Sequence, residues 1–266
     1  MAIDYIIDYN CIPKQTLGTM GILERLKGRD RAQVIIQLYR ENGDNRPPSE
    51  MGFEMARTAA DGSEETQVIV VQHLLDAADD LIPLEHHCED CPANRTGDPF
   101  GCMGQINYPI SPFGEAWLLN QLPDPPTAPL VWLLLRQGIR DFHYDGSRVR
   151  ALRESGTTHF SEQRTIQREL GEIVINSDQV FEMTFLLGNI QPNHAGILLL
   201  FFGAITRDLD ADDIMSIGDM PLGIREQIDF LITISADDDE STGEFKQFLY
   251  ALYLAWQLNV QLLLDV

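Results

Sequence analysis

Positive charge is scarce in this sequence. Only 19 Lys and Arg stand against 41 Asp and Glu in 266 residues, a formal net charge of −22. A field of that sign repels a phosphate backbone unless a local basic patch overcomes it, so no nucleic-acid partner is expected. Two short basic clusters exist, Arg25/Lys27/Arg29/Arg31 and Arg136/Arg140/Arg148/Arg150/Arg153. Both alternate with apolar residues in segments of helical pattern, and they read as solvated helix faces.

Long apolar runs are missing too. The longest, 195–205, is too short to span a bilayer, so no membrane partner is expected. Met1-Ala2-Ile3-Asp4 offers no basic n-region, and Asp4 and Asp8 interrupt the apolar residues that follow, which points to a cytoplasmic protein with reduced cysteines. No Gly-x-Ser-x-Gly, phosphate-binding loop or dinucleotide fingerprint occurs, so whether the chain is an enzyme stays open. Cysteine is rare, at four residues, and none follows Cys102.

Hydrophobic residues make up 44% of the chain and charged ones 23%, enough to bury an ordinary core. The β-branched and aromatic segment 2–9 predicts a strand, followed by Cys11 and then Pro13 as the exit into a loop. Thr19 looks like an N-cap for a helix over 20–39, with a break near Gly28. Residues 51–57 and 66–72 predict a β-hairpin around Ala60-Asp61-Gly62-Ser63. A short helix over 73–81 then delivers the chain to a turn-rich loop, and 106–110 reads as a strand. Ser111 is expected to cap a helix over 112–122, with Pro112 at its first position and Glu115 in the opening turn.

Residues 123–129 hold Pro123, Pro125, Pro126 and Pro129, a stiff connector and the expected domain boundary. Beyond it the pattern predicts helices over 130–142, 146–154, 177–187 (capped by Ser177-Asp178), 192–205 and 244–258. Strands are expected over 171–176 and 260–266, and a strand or buried helical turn over 228–234. The fold class is α+β. A mixed small sheet with a cysteine-rich metal loop lies in an N-terminal domain, 1–122, and 130–266 forms a predominantly helical domain.

The stretch from His86 to Cys102 carries Cys88, Cys91 and Cys102 as Cys-x2-Cys-x10-Cys, and Cys11 is the fourth. A Cys-x2-Cys turn points two thiolates at one centre, where backbone amides stabilise the sulfurs; a third ligand from the loop and one from elsewhere complete a tetrahedron. The expected metal ligands are therefore Cys11, Cys88, Cys91 and Cys102, with His86 or His87 as substitutes in a Cys3His zinc site. Cys91-Pro92 resembles the Cys-Pro step of ferredoxin-type ligand runs. Gly97, Gly101 and Gly104 would let amides approach cluster sulfurs, and Phe100 and Met103 would shield them. These features favour a [4Fe–4S] cluster, with Zn2+ as the alternative. Arg95 either offsets thiolate charge or pairs with Asp90 or Asp98.

Other patterns carry less. Asp208-x-Asp210-x-Asp212 echoes a calcium loop, but Asp213 stands where glycine belongs, so an acidic helix N-terminus is the simpler account. His143, His159 and His194 are scattered, the 188–194 segment reads as a helix–helix turn, and Trp117, Trp132 and Trp256 read as packing. The expected function is a cytoplasmic metal-binding protein whose cluster is structural or senses redox state, acting through a protein partner or self-association. A zinc-stapled interaction module of a larger assembly is the alternative, or an enzyme with a pocket between the two halves.

Overall fold

The computed structural model describes residues 2–58, 64–156 and 158–265, and only the backbone of 56–58 and 64–65. In chain order the elements begin with β1 (Ala2–Ile7), α1 (Ile12–Leu17), α2 (Thr19–Glu41), β2 (Gly52–Thr58), β3 (Glu64–Val70) and α3 (Val71–Ala78). Next come β4 (Met103–Asn107), α4 (Pro112–Gln121), α5 (Pro129–Asp141), α6 (Ser147–Glu154), β5 (Gln167–Leu170), β6 (Ile173–Asn176) and α7 (Ser177–Phe185). The chain finishes with β7 (Asn189–Ile190), α8 (Pro192–Phe201), α9 (Ala211–Met215), α10 (Leu222–Arg225), α11 (Glu240–Gln257) and β8 (Leu262–Asp265). Helices and small sheets are mixed, an α+β fold. No helix among the described residues is long and apolar enough to cross a membrane.

The chain divides into two compact units. The larger comprises residues 1–9, 92–97 and 101–266; the smaller comprises 10–91 and 98–100. The proline-rich stretch 123–129 lies inside the larger unit. There Arg168 donates to the carbonyls of Leu119 (2.7 Å) and Leu122 (3.0 Å) and pairs with Asp124 (2.6 Å), tying the end of α4 to β5. A cation on the last carbonyls of a helix satisfies acceptors that have no intrahelical partner.

The larger unit is built on an antiparallel sheet of order β4-β1-β8-β7. Tyr5 of β1 lies opposite Gly104 on one side and Leu264 on the other, and Ile7 opposite Leu262. From Ile3 to Ile7 the strand is buried, so neither face alternates with solvent. Helix α11 packs on the sheet: Phe248 meets Tyr5 edge-on at 5.4 Å, and Phe185 and Phe245 extend the ring cluster. Burial pushes the Tyr5 phenol up to about 12.

Caps decide where several helices start. Ser111 Oγ accepts from Gly114 N at 3.0 Å, as its sequence predicts. Asn176, one residue earlier than expected, caps α7 through a capping box with Gln179. Asp210 caps α9 by accepting from Asp213 N, which makes this acidic stretch a helix N-terminus. Asp239 caps α11, and next to it Asp238 accepts from Lys246 Nζ at 2.6 and 2.7 Å.

That Lys246 contact, above all, holds the Asp238 carboxyl below its usual 3.8. A carboxylate with a depressed native pKa stabilises the fold above its unfolded pKa, and the gain is lost as pH falls through the native value. Asp238→Asn is therefore expected to lower the urea midpoint at about pH 7 and to shrink the loss of stability as pH falls below about 4.

The smaller unit packs α2 on α3 and closes over Ala32, Met51 and Val71. Helix α2 runs unbroken through Gly28, where no break occurs. A single helical glycine costs only about 1 kcal/mol relative to alanine, and Gly28 lies against Leu74 of α3. The hairpin pairs Gly52 with Val70; its expected turn at 60–63 lies outside the described residues. Val266, in the expected terminal strand, does too. After α3 the chain tightens into a 3-10 helix, Asp79–Cys88, in place of the last α-turn. Its three-residue period sets Leu81 and Leu84 on one buried face.

Candidate metal centre

Each expected ligand has a definite place. Cys11 is the N-cap of α1, extended at φ −139°, and its carbonyl accepts from Gln15 N at 3.0 Å. Pro13, expected to open a loop, sits instead in the first turn of that helix, where a missing N–H costs nothing. Cys88 ends the 3-10 helix and is 7% exposed. Cys91 N donates to the Cys88 carbonyl at 3.3 Å, closing the Cys-x2-Cys turn. These three belong to the smaller unit.

Cys102 belongs to the larger unit, where its carbonyl accepts from Ile7 N at 3.0 Å and so extends the pairing of β1 with β4. All four residues stand as thiols. Among the described residues, no group of three or more His, Cys, Asp or Glu side chains is gathered as it would be around a metal ion.

Cys88 is electrostatically the most informative. Burial pushes its thiol pKa up, while the backbone amide of Phe100 donates to the sulfur and favours the thiolate. Cys11 and Glu85 raise it further as like charges, and Lys14 opposes them. The net effect disfavours the Cys88 thiolate in the absence of a cation, while the Phe100 amide and Lys14 are the groups that favour it. Phe100 reaches that position with φ at +61°, a conformation non-glycine residues seldom adopt.

The substitute ligands and the loop arginine behave differently. The His86 and His87 rings lie 3.8 Å apart between centroids, tilted by 41°; His86 is exposed and His87 half-buried. Arg95 is held within the larger unit. Its guanidinium donates to Gln247 Oε1 (2.6 Å) and the Met103 carbonyl (2.9 Å), and lies over the Tyr5 ring. Gly104 is required there, because a Cβ would overlap both Tyr5 and Arg95.

The sequence pattern misplaces one set of charges. Arg153, expected on a solvated face, is 3% exposed and pairs with Glu115 (2.6 Å) and Asp178 (2.8 Å), themselves 1% and 0% exposed. It also donates to the Glu162 carbonyl at 2.7 Å and lies 3.8 Å from the Phe160 ring centre. The available signal is spacing: Val149, four residues earlier on the same helix face, is buried. Arg225 is a second buried arginine, 2% exposed and held by carbonyl oxygens. No family model, no curated protein and no solved structure matches the chain.

Proposed function

We propose that the chain is a metal-binding protein in which Cys11, Cys88 and Cys91 supply thiolate ligands and Cys102 completes the four-cysteine set of the sequence pattern. The observation that carries this is the surroundings of Cys88: a closed Cys-x2-Cys turn, a second thiol close enough to raise its pKa, and an amide donating to its sulfur. Thiolates repel one another, and a bound cation turns that repulsion into ligation, so metal uptake would release protons and stabilise the fold. The Cys91-Pro92 step and the amide at sulfur favour a [4Fe–4S] cluster, structural or redox-sensing, that reports through a protein partner or self-association. Zn2+ held by the same thiols, with His87 as a substitute ligand, is the second form the site would take, a staple for an interaction module.

Metal and acid-labile sulfide analysis of protein purified without oxygen tests the reading. The expected result is a brown sample with about four iron and about four sulfide per chain. A colourless sample with about one zinc per chain assigns the second form. A chain that takes up neither metal after reconstitution, with all four thiols reactive, overturns both. Cys91→Ser is expected to lower metal content and to destabilise the unit containing residues 10–91 most.

A further inference from the structure

The larger unit carries a polar cleft of about 620 Å³ at one end of its sheet. It opens where β1 ends, β7 passes into α8, and β8 begins, and its lining includes Asp8, Gln191, Asn193, Asp219, Asn259 and Gln261. Two carboxylates and four amides therefore face one space, with no lysine, arginine, histidine or aromatic ring among the lining residues.

The wall is braced by side-chain hydrogen bonds. Gln191 Nε2 donates to Gln261 Oε1 at 3.1 Å, and Gln261 Nε2 donates to Asp8 Oδ2 at 3.2 Å. The floor is braced by Arg225, which donates to the carbonyls of Gly218 (2.7 Å), Met220 (2.8 Å) and Trp256 (2.6 Å) and to Asn259 Oδ1 (3.2 Å). Gly218 has no room for a side chain, because a Cβ would overlap Asn193. Asn259 is held at φ +54°. A cleft fixed before binding spares a ligand the cost of ordering it.

The chemistry selects the ligand. Neither Asp8 nor Asp219 has an ion-pair partner within 4.0 Å among the described residues, and the N–H groups of nearby Arg225 are directed at carbonyl and amide oxygens. The net charge of −22 adds a long-range attraction for cations and repels anions. A sugar would normally find an aromatic face to stack on, and none lines the cleft. Only two carboxylates line the cleft, and no group of three or more His, Cys, Asp or Glu is gathered for a metal ion among the described residues, so a divalent ion would draw most of its oxygens from water. From this geometry we infer that the cleft binds a small organic polyamine, whose ammonium groups pair with Asp8 and Asp219 and donate to the surrounding amide oxygens.

Spermidine is the probe, titrated into the isotope-labelled full chain at low salt and followed by amide NMR shifts, with glucose and Mg2+ run in parallel. Saturable spermidine binding is expected, with shifts centred on Gly218, Asn259 and Gln261. Asp8→Asn and Asp219→Asn should each weaken it about tenfold or more, as loss of a charge-assisted hydrogen bond predicts. Asp237→Asn, in an exposed acidic loop outside the lining of the cleft, should leave it unchanged. Unfolding midpoints of the variants separate lost binding from lost folding, and the wild-type shift map stands without them. Absence of saturation overturns the inference. So do shifts spread over the surface and equally reduced by Asp237→Asn, or preferential binding of glucose or Mg2+.

Discussion

Arg153→Ala is expected to destabilise the protein by about 3–5 kcal/mol, the usual cost of removing one partner from a buried ion pair. The variant would leave Glu115 and Asp178, both essentially inaccessible, facing each other without a cation. It would also orphan the Glu162 carbonyl and remove a guanidinium from the Phe160 ring. In the native fold burial works against the arginine's charge, and Glu115 and then Asp178 outweigh it, so its pKa is raised. The arginine is therefore charged at every pH at which the protein folds. Equilibrium urea unfolding at neutral pH measures the effect. Replacing all three residues by apolar ones of similar volume should cost much less than Arg153→Ala alone, because no charge would be left buried. A loss below about 1 kcal/mol for Arg153→Ala would mean that solvent reaches the cluster and screens it.

Trp256→Ala should have a comparable effect, about 3–5 kcal/mol for emptying a fully buried aromatic site. The ring fills the space above Gly196 of α8, and its indole N–H donates to the Ile217 carbonyl at 3.0 Å. Arg225 stacks over the same ring at 5.5 Å. Trp256→Phe keeps most of the volume but strands the Ile217 carbonyl, a penalty of about 1–3 kcal/mol. The urea midpoints should fall in the order wild type, Trp256→Phe, Trp256→Ala. An equal loss for both variants would assign the contribution to the hydrogen bond and not to packing.

What could be read in advance follows physical locality. The Ser111-Pro112-x-x-Glu115 start of α4 was legible because capping needs only neighbouring residues. The thiol pattern singled out Cys11, Cys88, Cys91 and Cys102 as expected ligands, yet spacing carried nothing about the amide of Phe100 at the Cys88 sulfur. Arg153 was misassigned because its partners, Glu115 and Asp178, lie far away in sequence and a charge pattern records no burial. The apolar run 228–234 suggested a strand or helical turn and forms neither. Its backbone is satisfied from outside: Leu231 N donates to Ala204 O, Tyr253 Oη to Ile228 O, and Lys246 Nζ to Thr233 O. Only tertiary structure supplies such partners, and a seven-residue window cannot show them.

The pairing of Ile7 with Leu262 has a consequence for how the protein is made. Ribosomal synthesis is vectorial, so β1 leaves the ribosome well before β8 and must wait for all the residues between them before the two can pair. The smaller unit closes through residues 10–91 and 98–100, all near one another in sequence, and has a much shorter delay. For that interval β1 offers an open edge with three isoleucines and a tyrosine, the residue types that favour strand pairing. Asp4 within that segment and Asp8 just beyond it carry negative charge, the residue type that opposes such pairing.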